Sequence, residues 1–507
     1  MKPRTSLVVI VVCIAVLMLT LGVPTAAARG TAAPAGSSAG HHTIVIWPTG
    51  SDDTANIQSA FTTCTAHGWT CTIQLVQGTY YTDQITANGF HGSFVGAGQA
   101  RTVVQALPNL PAPAPSYNTA STPFWAGAPG TSDPWPVLFT FVNGAFSVSG
   151  LTFTEPYLAP ISAPWYGNLD VPFPATTSQS LYAVVLVTGE HADVAFDHVT
   201  VLGSAGDLTI PAGTPSSFNL ESGIVYEGMF LPSGWSDFFA DQIPLGGTFV
   251  MTNSLINTAF ATFYFQNLLD ASVAVYHNSL VSGPATQFID VSNSQLVIFG
   301  NSFTNSASYA AFGGLQSFFK TNLLPSTVYV EDNYFGLNWE GSGPVFFDFG
   351  GAYGLDATLT AVVTGNVIVS DMSCGCYTYE VSSVTLSYSL VSAVFSGNLI
   401  EGGGDGVAVN NMAPAPNNGP VVVSGNIVIG ADVGISVFAA NGVHVTGNVI
   451  KNSGSYGVWV FGSANDTLVA HNLVQGSGLY DLYWDQTGTG NAWIGNVCQT
   501  SSPSGLC

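Results

Sequence analysis

The chain has 507 residues, 47% of them hydrophobic, with 57 glycines, and its 6 Lys and Arg stand against 29 Asp and Glu for a formal net charge of −23. Nucleic acid needs clustered Lys and Arg against its phosphates, so that partner is excluded, and anionic membrane surfaces are disfavoured for the same reason. Charged residues are only 7% of the chain, too few for a disordered polyelectrolyte, so the composition predicts a large ordered core with many turns.

The first residues read as a processing signal. Lys2 and Arg4 precede an apolar run from Leu7 to Leu21, and "TAAA" at 25–28 offers a small-residue cleavage site. Residues 1–28 are therefore expected to be a signal peptide and 29–43 a flexible tether. No later stretch is long and apolar enough to span a bilayer, so a secreted or cell-surface chain with no membrane contact after cleavage is expected. Arg29, Arg101, Lys320 and Lys451 are then the remaining basic residues. Such a chain suits an acidic exterior, where carboxylates neutralise and few cations remain to repel one another.

Residues 44–106 form an entry segment. Within it "DDTANIQSAF" (52–61) predicts a short amphipathic helix, with Asp52 or Asp53 at its start and Ile57 and Phe61 on one face. That helix would cover one open end of a coiled tube. A Pro-rich loop occupies 107–136. From 137 to 507 one phrase recurs: "AVVTGNVIVS" (361–370), "AVFSGNLIEG" (393–402), "VVVSGNIVIG" (421–430) and "VHVTGNVIKN" (443–452). Counting from Asn253 through Asn278, Asn301 and Asn333 to Asn366, Asn398, Asn426, Asn448, Asn472 and Asn496, the basic spacing is 22 to 25 residues, with insertions. His198 and Gly150 read as occupants of the same slot upstream.

A regular period of this length marks a solenoid. Short Val-, Ile- and Phe-rich alternating runs predict three strands per coil, about twelve coils in all, with like residues stacked about 4.8 Å apart around aliphatic columns. Gly supplies a sharp turn through positive φ. Asn tolerates that turn and carries donors and an acceptor, so stacked amides would form a ladder that fixes register. Insertions at 155–180 and 203–222 both follow a third strand and should stand side by side; a third, at 231–247, leaves at another corner.

Six cysteines remain after the signal. Nearest-neighbour pairing predicts disulfides Cys64–Cys71 and Cys498–Cys507, with Cys374 and Cys376 as a tighter third pair. No second close pair of Cys or His accompanies any of them, which argues against zinc.

"SDDTANIQSAFTTC" (51–64), "IQLVQGTYY" (73–81) and "FVGAGQARTVVQ" (94–105), followed by the "GVxV…VxxGNxI" coils, resemble the right-handed parallel β-helix repeat proteins of the pectate-lyase-like (pectin lyase fold) superfamily. The resemblance covers most of 44–500. It implies an all-β, single-stranded right-handed parallel β-helix with an N-terminal capping helix, and an extracellular polysaccharide as partner. Related lyases use an Arg or Lys base with Ca²⁺, so Ca²⁺ is the one cofactor the resemblance implies. Here no arginine falls on a coil, and Lys451 is the sole lysine base on offer.

A glycosidase needs two facing carboxylates. Glu331, Asp332, Asp348, Glu401 and Asp405 are the candidates on the coils; the plain alternative is that each is an exposed turn acid. Trp135, Trp165 and Trp235, near Asp133, Asp170 and Asp237 in the loops, suit a neutral sugar, whose C–H faces stack and whose hydroxyls bond to carboxylates. They equally suit a small core within the loops themselves. Binding of an extracellular polysaccharide is the leading expectation, with cleavage left open and, if present, of the polysaccharide lyase or glycoside hydrolase type. A non-catalytic surface or matrix scaffold or adhesin is the alternative.

Overall fold

The computed structural model describes residues 40–107, 137–154, 161–162, 183–203, 217–218, 222–230, 242–243, 245–258, 261–281, 285–305, 326–338, 348–349, 359–371, 385–386, 390–410 and 421–507. The stretches 1–39, 108–136 and 163–182, and with them the expected signal and most of the tether, lie outside the described residues. The first strand, His41–Ile46, begins inside the expected tether. It pairs in parallel with Thr70–Leu75.

Alternation of branched apolar and polar residues makes each short run a strand with one buried face. In Val443–Thr446, Val443 and Val445 are buried and His444 and Thr446 are not. Parallel pairing then sets like on like: Val445 lies in register with Val423 on one side and Val469 on the other. One sheet of 28 strands carries the two strands that flank each Gly-Asn turn, and a second sheet of seven strands carries the remaining strand of the later coils.

The filling of the tube changes along its length. The later coils hold the expected aliphatic columns, such as Val407, Ile435, Val458 and Leu482 in register on the seven-stranded sheet. The earlier coils are filled with aromatic rings instead. Phe61, Phe90, Phe94, Phe139, Phe141 and Phe153 are buried, with centroids 4.9 Å apart for Phe61–Phe90 and 4.8 Å for Phe139–Phe141. Phe61 comes from the helix Thr54–Ala66, which buries Ile57, Ala60, Phe61 and Cys64 along one face. Asp52 Oδ1 accepts from Thr54 N (2.9 Å), while Asp53 Oδ1 accepts from Thr49 N (2.9 Å). The Cys64–Cys71 disulfide ties this helix to the next strand, and Cys498–Cys507 closes the C-terminal turn. Cys374 and Cys376 lie outside the described residues.

The asparagines form a continuous file. The side-chain oxygens of Asn301, Asn333, Asn366, Asn398, Asn426, Asn448, Asn472 and Asn496 each accept from the backbone N–H and the amide of the preceding member, at 2.8–3.1 Å. The upstream register differs from the sequence expectation by one residue. Ser254, not Asn253, continues the file: its N–H donates to Asn278 Oδ1 (2.9 Å), and its Oγ accepts from Val199 N (3.0 Å). Asn253 and His198 have φ of 49° and 52° and Gly150 has 64°, so they fill the turn position that Gly occupies elsewhere. A polar residue that tolerates positive φ can serve either position, and sequence alone does not separate the two.

The first two insertions touch, since Ile161–Ser162 pairs antiparallel with Ser217–Phe218. Met229–Phe230 and Gln242–Ile243 pair antiparallel at the base of the third.

Candidate functional site: an aromatic platform on the seven-stranded sheet

The strands of this sheet run in the order Asp348–Phe349, Thr385–Leu386, Asp405–Asn410, Val433–Phe438, Tyr456–Phe461, Tyr480–Trp484 and Ser501–Ser502. The period of two turns Val458 and Val460 inward and Trp459 and Phe461 outward. Parallel register then lines up Ala408, Ser436, Trp459 and Tyr483 in one outward-facing column, and Asn410, Phe438 and Phe461 in the next; Ala408, Ser436 and Asn410 are nonetheless buried, so the open part of this face is the aromatic one. Tyr456 and Tyr480 follow Val433 in a third column.

These rings meet. Trp459 stacks on Phe461 (3.8 Å, 13°), and Phe461 lies 4.8 Å from Phe438. Tyr456 is 4.8 Å from Trp459 and 4.9 Å from Tyr483, which is 5.8 Å from Tyr480. Desolvation, with the neighbouring Tyr483 and Tyr480, holds the Tyr456 hydroxyl above the usual phenol range. Tyr456, Trp459, Tyr483 and the adjoining Trp484 are half-buried, and Tyr480 is exposed. A surface of this kind can lie flat against a ligand with an apolar face and bond to hydroxyls at its rim. The polar end is supplied by Asp405, whose Oδ2 accepts from Ser436 Oγ (2.5 Å), and Ser436 is in register with Trp459. Asp348 lies in that same column, through Thr385 and Ala408.

The structure divides the five candidate carboxylates. Asp348 and Asp405 belong to the seven-stranded sheet, two strands and three positions apart. Glu331, Asp332 and Glu401 belong to the 28-stranded sheet or its turns. Glu331 faces outward in register with Phe299 and Thr364, in the column that includes Tyr276. Burial, reinforced by the Asp332 charge, raises its carboxyl above the usual range. Asp332 has φ of 53° and stands where adjacent coils have Gly300 and Gly365, so it is a turn residue. Glu401 is exposed on Leu399–Gly402, two coils from Glu331, about 10 Å along the stack. Trp135, Trp165, Trp235, Asp170 and Asp237 lie outside the described residues. Among the described residues no cluster of three or more His, Cys, Asp or Glu could hold a metal ion, and no helix is long and apolar enough to cross a membrane.

The platform was missed because Tyr, Trp and Phe in a strand read equally as core. The usable signal was parity: "YGVWVF" places Trp459 and Phe461 opposite to the Val residues that continue the buried columns.

Residues 243–474 match the family model described as the right handed beta helix region. No curated protein matches the chain. Among solved structures, the chain is similar to an exopolygalacturonase of Thermotoga maritima at 9% identity, covering 90% of this chain and 92% of that one with a TM-score of 0.39. It is similar to the catalytic unit of an α-1,3-glucanase of Streptomyces thermodiastaticus at 10% identity (92% and 70%, TM-score 0.39), and to a surface adhesin of Streptococcus pneumoniae at 14% identity (88% and 88%, TM-score 0.33). With its parallel coils, its file of stacked asparagines and the match of residues 243–474 to the right handed beta helix region, the chain is a parallel β-helix repeat protein.

Proposed function

We propose that this is an exported β-helix that holds an extracellular polysaccharide against the outer face of its seven-stranded sheet. The observation that carries the reading is the contiguous platform of Phe438, Tyr456, Trp459, Phe461, Tyr480 and Tyr483, with the Asp405–Ser436 pair at its edge. Rings offer their faces to sugar C–H groups, and the carboxylate accepts from sugar hydroxyls. The strands of the sheet carry no Lys or Arg, so a neutral or weakly charged glycan fits and a polyuronate is repelled unless Ca²⁺ bridges it.

A panel of neutral and carboxylated polysaccharides, scored by affinity electrophoresis and for released reducing ends, tests this. A neutral polymer should bind whether or not a chelator is present. Trp459→Ala should weaken binding about tenfold, since an aromatic anchor buried on binding contributes ~1–2 kcal/mol, measured at a temperature where the variant's melting curve shows it folded. The reading is overturned if no polymer binds, or if Trp459→Ala binds as the parent does. The separation of the five carboxylates over two sheets favours a second reading, binding or scaffolding without cleavage. Released reducing ends that depend on Asp405 would overturn that second reading.

A further inference from the structure

From Asn333 onward each coil writes two apolar residues after its asparagine, and the core takes only one of them. The second is buried: Phe335, Ile368, Ile400, Val428, Ile450 and Val474 all lie in the core. The first points outward. Tyr334, Val367, Leu399, Ile427, Val449 and Leu473, with Val497 as a seventh rung, stand in register in one outer column. Tyr334, Ile427 and Val497 are 43%, 42% and 59% exposed. The equivalent outward positions of two earlier coils are Ser279 and Ser302, so a polar residue fits this slot. Among the described residues nothing covers Tyr334, Ile427 or Val497, and the other four rungs are half-buried.

The turn beside the stripe has two residues in each of these coils, for example Gly397-Asn398 between Leu390–Ser396 and Leu399–Gly402, so no segment is inserted there. On the strands flanking that turn between the Leu399 and Leu473 rungs, two residues carry a full charge: Glu401 and Lys451. Both are exposed. They share one column, on either side of Ile429. Ile427, on the same strand as Ile429, is the central rung of the seven.

We propose that this stripe is the interface between two copies of the chain, packed face to face with their tube axes antiparallel. A two-fold axis along the central strand maps Ile427 onto its own counterpart and each rung above it onto the equivalent rung below. Glu401 then meets the second copy's Lys451, and Lys451 the second copy's Glu401. The opposite, parallel alignment would put each charge level with its own counterpart on the far side of the stripe and form neither pair. A second copy also matches the rung spacing of the stripe by construction. Elsewhere the strongly acidic chain repels itself, but between the Leu399 and Leu473 rungs its one negative charge is paired across the axis, and Glu331 and Asp332, at the Tyr334 end, come opposite the uncharged Val497 rung. The stripe is about 29 Å long. At a width of ~20 Å it buries ~600 Å² per copy, the lower end for a specific complex, so a weak, concentration-dependent dimer is expected. Dimerisation through the stripe does not depend on carbohydrate binding.

Sedimentation of the mature chain over a concentration series should show a monomer–dimer equilibrium. Glu401→Lys should weaken association about tenfold or more by facing two cations, and adding Lys451→Glu should restore it. Under oxidising conditions Ile427→Cys should cross-link to its counterpart, while Val497→Cys, which would face Tyr334, should not. A chain that stays monomeric throughout the series overturns the proposal. So does a double charge reversal as weak as the single one, or cross-linking of Val497→Cys equal to that of Ile427→Cys.

Discussion

Asn448 Oδ1 accepts from the backbone and the amide of Asn426, while Asn448 Nδ2 donates to Val423 O (2.9 Å) and Asn472 Oδ1 (3.0 Å). Every one of these atoms is away from water, so the side chain's worth lies in what its loss would strand. Asn448→Ala leaves the Asn426 N–H without its acceptor and takes one donor from the Val423 carbonyl, and is expected to cost about 3 kcal/mol, read as a lowered urea midpoint. The preceding glycines divide by their surroundings. Gly425 (φ 63°) has nothing within 4 Å of an added Cβ, whereas at Gly365 (φ 67°) a Cβ would come within 2.2 Å of Asp332 Oδ1. Gly425→Ala should therefore cost only the conformational strain, about 1 kcal/mol. Gly365→Ala should cost more, and parallel thermal melts of the two variants compare them. The need for Gly and Asn is legible in the sequence, but the carboxylate from the adjacent coil is not, because it lies 33 residues away in the chain.

At the scale of a strand, parity decides what a residue does. Ile427 and Val428 are neighbours of similar size and hydropathy, yet Ile427 is 42% exposed and Val428 is 1% exposed. Val428→Ala should cost about 1–3 kcal/mol through lost burial and the void it leaves, and Ile427→Ala should cost less than about 1 kcal/mol. Chemical denaturation of the two variants checks this, and equal losses would mean that Ile427 is covered within the single chain. The sequence shows two apolar residues per turn but does not say which one faces in. The same ambiguity hid the Trp459 platform, since a ring on an outer column and a ring in the core have the same β propensity.

For the whole molecule, charge is the distinguishing property. Among the described residues the ion pairs are His191–Asp193 and His198–Asp197, both partly exposed. Acidification thus has few pairs to break. Asp52 is held below the usual carboxylate range by Thr54, through its side chain and its N–H. At Asp197 burial pushes upward, but hydrogen bonds from Thr252, Asn253 and His198 together with the His198 charge outweigh it, so its value also falls. These two stabilise above their usual value of 3.8, and that contribution is lost as the pH drops through their lowered values. Glu331 works the other way: its raised value gives stability below 4.5 that is lost as the pH rises. Glu331→Gln should raise the melting temperature near pH 7 and leave it unchanged at about pH 3. A gain of equal size at both pH values would show that the carboxyl charge is not the cause.

Residue order alone was enough for the coil, the parallel stacking, the asparagine file from Asn278 onward and the approximate period, because each is a local pattern repeated until chance is excluded. It was also enough for the two disulfides that the structure joins, since near neighbours in the chain are near neighbours in space. Which outward residues become a surface depended instead on the folded coils. Trp459, Tyr483 and Ser436 are 23 to 47 positions apart, and Glu401 and Lys451 are 50 apart. Winding brings each set into one column at a spacing set by hydrogen bonds between coils. The faces of the tube, unlike its core, are therefore composed from residues that no local window contains together.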